Sequence, residues 1–305
     1  MTREIVVLSG KGGTGKTSVA ASLAVLAGNA VVADCDVDAA DLHLVLAPAV
    51  RERHEFRAGR GAVIRPESCL GCGLCLAHCR FGAVLPFTPG ASGSAYVIDP
   101  VACEGCGVCV RICPEGAIDF PERLCGEWMV SDTRCGPLVH ARLSAAAENS
   151  GKLVSIVRGE ARRIAEATAR PLVIVDGPPG IGCPVIASVT GASQLLLVTE
   201  PTVSGEHDLA RVLSLARHFC VPAAVCVNKW DLNPDLAERI EAGARVAGAT
   251  IAGRIRYDRE VTRAQIAARA VVETSAPAGD DIRRLWEGLI TDSATRHHTL
   301  RKDEV

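Results

Sequence analysis

The sequence contains few aromatic residues: Phe, Trp and Tyr together make up 3% of its 305 residues. A core without large rings must be filled by Val, Ile, Leu and Ala, as in a parallel β-sheet whose two faces are covered by helices. The formal net charge is only −2. The whole chain therefore gives no reason to expect binding to nucleic acid or to an anionic membrane.

The chain also lacks a long apolar run near its start, where only four apolar residues, Ile5 to Leu8, precede Ser9. Such a run is too short for a signal peptide or a membrane-spanning helix. We therefore expect a cytoplasmic protein without membrane insertion. Its 14 cysteines then favour metal ligation over disulfide bonds, because that compartment keeps thiols reduced.

Short apolar runs alternate with longer stretches of helical periodicity along most of the chain. This alternation predicts βαβ units, and so an α/β fold built on a doubly wound, mostly parallel sheet. A hydrophobic content of 48% allows a large buried core. The runs predicted as strands are Ile5 to Leu8, Ala30 to Ala33, Leu172 to Val175, Leu195 to Val198 and Ala223 to Val227.

The alternation stops between Arg57 and Glu122, where the chain repeats itself at an offset of 34 residues. The segment "VIRPESCLGCGLCLAHCRFGA" from Val63 matches "VIDPVACEGCGVCVRICPEGA" from Val97 in all four cysteines. We predict one short strand and one cysteine loop per copy, in a small α+β domain inserted into a surface loop. The predicted domains are a P-loop domain over 1–56 and 123–292, the insert over 57–122, and a disordered tail over 293–305.

The segment "GKGGTGKT", Gly10 to Thr17, follows a predicted strand and fits the P-loop pattern. Its backbone N–H groups and the following helix N-terminus would hold phosphates, with Lys16 at the β and γ phosphates and Thr17 on Mg²⁺. A glycine-rich turn without a ligand is the alternative. The predicted nucleotide-binding residues of this segment are Gly10, Lys11, Gly12, Gly13, Thr14, Gly15, Lys16, Thr17 and Ser18.

Two predicted strands lead into aspartates. "VVADCDVDAADLHLVL" carries Asp34, Asp36 and Asp38, and "LVIVDGPPGIG" ends an apolar strand in Asp176. Asp176 fits a Walker B aspartate that holds Mg²⁺ through water, since carboxylates at the carboxyl edge of such a sheet usually serve a site.

Together these segments resemble the MinD/ParA family of P-loop ATPases, which includes the nitrogenase iron protein and the Mrp/ApbC iron–sulfur carriers. "KGGTGKT" carries a second lysine, Lys11, which in that family reaches the phosphates of a partner across an ATP-sandwich dimer. The resemblance extends to about Ile290 and implies ATP, Mg²⁺ and a homodimer or a heterodimer with a related ATPase. A solvated loop lysine is the alternative for Lys11.

The resemblance also implies that an aspartate after the second strand positions the attacking water or Mg²⁺. Spacing does not decide among the three; Asp36 is our first choice, with Asp34 as the alternative at Mg²⁺ and Asp38 as a helix cap. "NKWD" from Asn228 would by itself suggest guanine, whereas the resemblance implies that Asn228 contacts adenine. The predicted catalytic residues are Lys11, Lys16, Asp36 and Asp176.

The repeated cysteine runs have the spacing C-x2-C-x2-C-x3-C. In such runs three thiolates hold one 4Fe-4S cluster, and the fourth binds the other cluster. Structural zinc is the alternative. The predicted ligands are Cys69, Cys72, Cys75 and Cys113 for the first cluster, and Cys103, Cys106, Cys109 and Cys79 for the second.

The insert resembles a bacterial 2[4Fe-4S] ferredoxin domain, with the departure that Arg80 stands where ferredoxins usually have proline. The other cysteines are most simply explained as small hydrophobic residues, and no spacing assigns a role to Cys183.

Three functions are compatible with these motifs. The first is ATP-gated electron transfer to an unknown redox or acceptor protein. The second is cluster assembly, although those carriers hold a cluster on a C-terminal Cys-x-x-Cys that is absent after Cys113. The third is spatial positioning, as in MinD or ParA. MinD ends in a basic membrane-binding helix, whereas "DDIRRLWEGLI" has only two basic residues and is predicted to pack on the sheet.

The two P-loop lysines predict different defects. Lys16→Ala should abolish ATP hydrolysis, whereas Lys11→Ala should abolish hydrolysis while ATP still binds, because only the partner's phosphates lose a charge. Measurement of phosphate release beside ATP affinity separates the two. Unchanged turnover in Lys11→Ala would contradict the role across a dimer.

Overall fold

The computed structural model describes residues 2–87, 95–144 and 150–300, with side chains up to residue 291. The chain divides into two compact units. The sheet unit comprises Met1–His54, Glu127–Arg142 and Ser150–Val305, and the cysteine unit comprises Glu55–Gly126 and Leu143–Asn149.

The secondary structure is numbered in chain order. The strands β1 to β13 are Arg3–Ser9, Ala30–Asp34, Ala49–Arg60, Val63–Ile64, Val84–Pro86, Tyr96–Ile98, Ile118–Asp119, Glu122–Thr133, Gly136–Leu143, Leu172–Pro179, Gln194–Thr199, Ala223–Asn228 and Thr250–Ile255. The helices α1 to α10 are Lys16–Ala27, Leu42–Leu46, Leu74–His78, Val108–Ile112, Ser150–Ala167, Cys183–Val189, Val203–His218, Pro234–Val246, Glu260–Ile266 and Pro277–Leu300. Short 3-10 helices span Pro66–Ser68, Trp230–Leu232 and Val271–Glu273.

A nine-stranded sheet has the order β13-β12-β11-β1-β10-β2-β9-β8-β3. Neighbouring strands from β13 to β9 run parallel. The five apolar runs predicted as strands lie in β1, β2, β10, β11 and β12, and they are almost entirely buried. The predicted α/β fold with a large, mostly parallel sheet is therefore confirmed.

The far end of this sheet contains strands that the apolar runs do not reveal. Strand β3 is largely exposed and charged, which suits an edge strand because charges there discourage pairing with other chains. Strands β8 and β9 are separated only by Arg134 and Cys135 and form a hairpin.

The cysteine unit contains two small antiparallel pairs, β4 with β7 and β5 with β6. Strands β4 and β5 belong to the first copy of the repeat, and β6 and β7 to the second. The prediction of one strand per copy is wrong: each copy has two, and every pair takes one strand from each copy. The second strand is only two or three residues long and is stabilised by its partner from the other copy, so local sequence does not reveal it.

Helix α10 packs against the sheet, as predicted for "DDIRRLWEGLI": Ile282, Leu285 and Leu289 are buried in the core beside β13. Its backbone continues to Leu300, so the tail predicted to be disordered over 293–305 is helical as far as Leu300. Once a helix has begun, each added residue gains one further hydrogen bond without a new nucleation cost. Residues 301–305 lie outside the described chain. Among the described helices, none combines the length and apolar character needed to cross a bilayer.

Candidate functional site

The carboxyl ends of β1, β2 and β10 meet at one edge of the sheet. Val7 of β1 lies beside Asp176 of β10, and Asp176 lies beside Asp34 of β2. Ligands of open α/β sheets bind at this edge, in the crevice outside the strand ends. The loop that leaves β1 here leads directly into α1.

Several positions of this loop require glycine because of their backbone conformation or their close contacts. Gly13 and Gly15 have φ angles of 81° and 90°, in the left-handed region that favours glycine. A Cβ atom at Gly15 would also strike the side chain of Asn228, and one at Gly10 would strike Asp208 of α7. The loop thus depends on glycine for both its turn and its close packing.

Lys16 begins α1 and is buried, with 6% of its surface exposed. Its Nζ donates to Oδ1 of Asp176 at 2.6 Å and lies 3.3 Å from Oδ2 of Asp36. Burial alone would lower the pKa of Lys16, but the charges of Asp176, Asp36 and Asp34 together raise it. The lysine therefore keeps its positive charge in the buried site.

The aspartate that ends β2, Asp34, and the two that follow it, Asp36 and Asp38, occupy different places. Asp34 is fully buried, and its carboxylate accepts hydrogen bonds from the backbone N–H groups of Asp36 and Leu42, each at 3.2 Å. Burial, followed by the charge of Asp176, raises the pKa of Asp34. Asp36 faces Lys16, and Asp38 is exposed. Asp34 thus anchors the loop to α2.

An open cavity of about 500 Å³ lies against the P-loop. The predicted residues that line it are Gly12, Gly13, Gly15, Lys16, Thr17, Ser18 and Asp36. Asp38, proposed above as a helix cap, also lines it. The predicted residues Gly10, Lys11, Thr14, Asp176 and Asn228 are not in its wall.

The cavity also has a wall that the predicted residue set omitted. Pro178 and Pro179 follow Asp176, so the "GPPG" segment was a usable signal for them. Gln265 of α9 lines the cavity as well, and its Nε2 donates to Oγ of Ser18 at 2.8 Å. No local pattern marks Gln265, because it is brought to Ser18 from 247 residues away.

Lys11 is held within its own chain. Its Nζ lies 2.7 Å from Oε1 of Glu200 and donates to the hydroxyls of Thr202 at 3.3 Å and Ser204 at 2.9 Å. The side chain of Lys11 is 31% exposed and is paired at its ammonium group. To reach the phosphates of a partner subunit, as predicted, Lys11 would have to leave Glu200, Thr202 and Ser204.

Glu200 also binds a second lysine. Nζ of Lys229 lies 3.1 Å from Oε2 of Glu200 and donates to the carbonyl oxygen of Gly13 at 3.2 Å. Burial would raise the pKa of Glu200, but hydrogen bonds and charges from Lys11 and Lys229 lower it. One carboxylate thus holds both lysines beside the P-loop.

The side chain of Asn228 is hydrogen-bonded to the P-loop. Its Nδ2 donates to the carbonyl oxygen of Thr14 at 2.7 Å, and its Oδ1 accepts from the backbone N–H of Lys229 at 2.9 Å. Both ends of the amide are engaged with protein groups. The contact of Asn228 with a base stays a prediction.

The cysteine unit contains two further cavities. One is lined by Cys69, Cys72, Cys75 and Cys113. The other is lined by Cys103, Cys106, Cys109 and Cys79. Each cavity therefore gathers three cysteines from one copy of the repeat and the fourth cysteine from the other copy.

The thiols around these cavities differ in exposure: Cys75 is buried, and Cys72 and Cys106 are exposed. Within the described part of the chain, no three or more His, Cys, Asp or Glu side chains are grouped as ligands of one metal ion. Cys183, in contrast, is exposed at the start of α6 in the sheet unit.

The contacts of Glu200 predict a change in P-loop mobility. Glu200→Gln should accelerate amide hydrogen exchange over Gly10 to Gly13 by about fivefold, the effect of losing roughly 1 kcal/mol of local stabilisation. Hydrogen exchange with mass spectrometry checks this.

Acid should act in the same direction as this substitution. Because the pKa of Glu200 is lowered, its carboxylate stabilises the P-loop fully above the ordinary pKa of glutamate. This stabilisation is lost as the pH falls through the lowered pKa. The control is Glu206→Gln, which removes a pair with Arg239. Equal exchange in Glu200→Gln and the wild type would contradict the proposed restraint.

Comparison with known proteins places this geometry in a family. Residues 5–271 match the family model described as the CobQ/CobB/MinD/ParA nucleotide binding domain. An uncharacterized protein of Methanocaldococcus jannaschii, MJ0578, is 33% identical over 247 residues, which cover 75% of this chain and 79% of that protein.

Solved structures share the fold at low sequence identity. The cell division ATPase MinD of Pyrococcus furiosus has a TM-score of 0.55 and 17% identity, and the match covers 95% of this chain and 99% of that one. The septum site-determining protein MinD of Pyrococcus horikoshii, complexed with Mg-ADP, has a TM-score of 0.56 and 16% identity over 95% and 96% of the two chains. The chain belongs to the CobQ/CobB/MinD/ParA family of P-loop nucleotide-binding proteins, which includes MinD.

Proposed function

We propose that this chain is a Mg²⁺-dependent ATPase that holds two 4Fe-4S clusters and gates electron transfer to an acceptor protein by its nucleotide state. The ATPase part rests on family membership and on the P-loop cavity. The cluster part rests on a single observation, the two cavities that each collect four cysteines from both copies of the repeat.

The donor set of each cavity suits a 4Fe-4S cluster. Four thiolates hold such a cluster, and each binds a different iron atom, so the sulfurs need not converge on one point as ligands of a single ion do. When bound, the cluster supplies one-electron redox chemistry. The ligands would be Cys69, Cys72, Cys75 and Cys113 in one cavity, and Cys103, Cys106, Cys109 and Cys79 in the other.

Backbone N–H groups are directed at the fourth cysteine of each run. The N–H of Ala117 donates to Sγ of Cys113 at 3.3 Å. Burial would raise the pKa of Cys79, but backbone N–H groups from Phe81 to Val84 lower it. N–H groups directed at cluster sulfurs are one way in which a protein sets the reduction potential.

The sheet unit offers ligands for Mg²⁺ and groups for phosphoryl transfer. Asp176 is fully buried, and its Oδ2 has no hydrogen-bond partner among the described residues. A hard carboxylate oxygen of this kind suits Mg²⁺ or one of its water ligands. Thr17 lines the cavity beside it. We assign Lys16 to the phosphates and Asp36 to the attacking water, since hydrolysis depends mainly on positioning and charge neutralisation.

Dimerisation is part of the proposal. Lys11 would leave Glu200 and bind the phosphates of a partner subunit in a homodimer or a heterodimer with a related ATPase. This exchange replaces one anionic partner of the lysine by another, so the ammonium group is never left without a countercharge.

A positioning ATPase is the second candidate. Membership of the family that includes MinD, and the fold shared with a septum site-determining protein, favour it more directly than they favour electron transfer. The two cysteine cavities have no part in this function. Co-sedimentation with liposomes or DNA in ATP and in ADP tests it: binding that depends on ATP would favour positioning.

The cysteine cavities predict how iron is divided between them. Anaerobically prepared protein should contain about eight iron atoms and eight sulfides per chain, with reduced clusters visible by EPR. Cys113→Ala should leave about four irons. Cys69→Ala with Cys113→Ala should also leave about four, because both cysteines line the same cavity.

A matched control and a contrary outcome accompany this test. Cys183→Ala should keep all the iron, because Cys183 is exposed in the sheet unit and lines neither cavity. If the double variant lost all its iron, the crossed arrangement would be wrong. Stoichiometric zinc without sulfide would instead establish structural zinc sites.

Gating predicts that nucleotide changes the redox equilibrium. The midpoint potential of the clusters should shift by about 60 mV between a non-hydrolysable ATP analogue and ADP, a tenfold change for one electron. Spectroelectrochemical titration measures the shift, and Lys16→Ala should abolish it. Equal potentials and equal electron-transfer rates in both nucleotides would disprove the coupling while leaving the clusters in place.

A further inference from the structure

A second large cavity in the sheet unit has no part in the proposed function. It has a volume of about 430 Å³ and lies between helix α2 and strands β3, β8 and β9. Ala47, Pro48, Val50 and Met129 give it an apolar wall. Cavities of this size and mixed lining are typical of small-molecule sites.

The polar groups of this cavity are mostly basic. His43 comes from α2, Arg53 from β3, and His140 and Arg142 from β9, whereas Glu127 of β8 is the single acid. Both oxygens of Glu127 lie 3.2 Å from Nη1 of Arg53, so that acid is already paired. Among the described residues, Arg142 has no carboxylate partner.

His140 is buried in this wall with 7% of its surface exposed. Its Nε2 lies 2.8 Å from Oγ of Ser131, and Nδ1 has no protein partner among the described residues. Burial, and after it the interactions with His43, Arg53 and Arg142, lower the pKa of His140 to about 4, and Glu127 opposes this shift. His140 is therefore neutral at neutral pH, and the arginines and the glutamate of the lining, Arg53, Arg142 and Glu127, give two positive charges against one negative charge, which favours an anion.

One short segment separates this cavity from the nucleotide cavity. Asp38, Ala39 and Asp41 line the nucleotide cavity, whereas Ala40 and His43 line the second one. The segment connects Asp36 to α2. It is anchored at Asp34, whose carboxylate accepts from the N–H groups of Asp36 and Leu42.

We propose that this cavity binds a small organic anion, through a carboxylate or phosphate group held by Arg142, His43 and His140, and that the bound anion alters nucleotide affinity through the shared segment 38–43. Arg53 is paired with Glu127, and both residues line the site without holding the anion. The apolar wall accommodates the carbon skeleton. Coupling between the two sites must be reciprocal, because it is a single free energy.

Calorimetry on the full, anaerobically prepared chain tests binding. Mg-ADP is kept saturating so that the P-loop is occupied, and ionic strength is held constant with sodium chloride. The probes are succinate, inorganic phosphate and succinamide, an uncharged analogue of succinate. We expect saturable binding of succinate or phosphate and none of succinamide, and the two anions distinguish a carboxylate site from a phosphate site.

Variants assign the binding to this cavity. Arg142→Gln should weaken the anion about tenfold by removing a charge-assisted contact. Arg217→Gln is the matched control, because Arg217 is also exposed but lies on α7 and does not line the cavity. The site is overturned if neither anion saturates below about 10 mM, or if both variants bind the anion as tightly as the wild type.

Coupling is measured separately as the affinity for ADP with and without the bound anion. It should change by about fivefold or more in the wild type and remain unchanged in Arg142→Gln. Saturable anion binding with identical ADP affinity would overturn the coupling. Both experiments measure binding alone. A negative result in either one would therefore not bear on the proposed ATP hydrolysis or on the proposed clusters.

Discussion

The buried ion pair between Lys16 and Asp176 is the interaction on which the nucleotide site depends. A lone charge at this depth would cost several kcal/mol, so each partner requires the other. The pair joins the start of α1 to the end of β10, and the parallel register places Asp34 beside Asp176. Asp34 in turn holds the segment that leads to α2. These contacts therefore fix the P-loop, and the segment from Asp34 to α2, relative to each other.

The two copies of the cysteine repeat depend on each other in a similar way. Each small antiparallel pair takes one strand from each copy, which brings Cys79 and Cys113 to the cavity of the opposite copy. Neither copy could complete a four-thiol cavity alone. This mutual dependence gives a physical reason for duplication within one compact unit, and it is independent of the fold shared with MinD.

Two contacts show how the sheet unit could respond to nucleotide. Glu200 holds Lys11 and Lys229 beside the loop, and different residues of the segment 38–43 line the two cavities. Both elements lie at the carboxyl edge of the sheet, where a bound phosphate would add negative charge. In the function proposed above, this charge would compete with Glu200 for Lys11 and Lys229, and in the further inference it would act on the segment 38–43.

The sequence by itself determined the elements that depend on local pattern. Uninterrupted apolar runs marked the buried parallel strands, the glycine-rich loop marked the P-loop, and the cysteine spacing identified the two four-cysteine sets. Only the tertiary structure decided that Lys11 is held by Glu200, that Asn228 supports Thr14, that Gln265 reaches Ser18, and that β3 lies at the sheet edge. These contacts join residues far apart in the chain, and single polar residues have no periodicity. Their partners are set by the order of the strands, which local sequence does not encode.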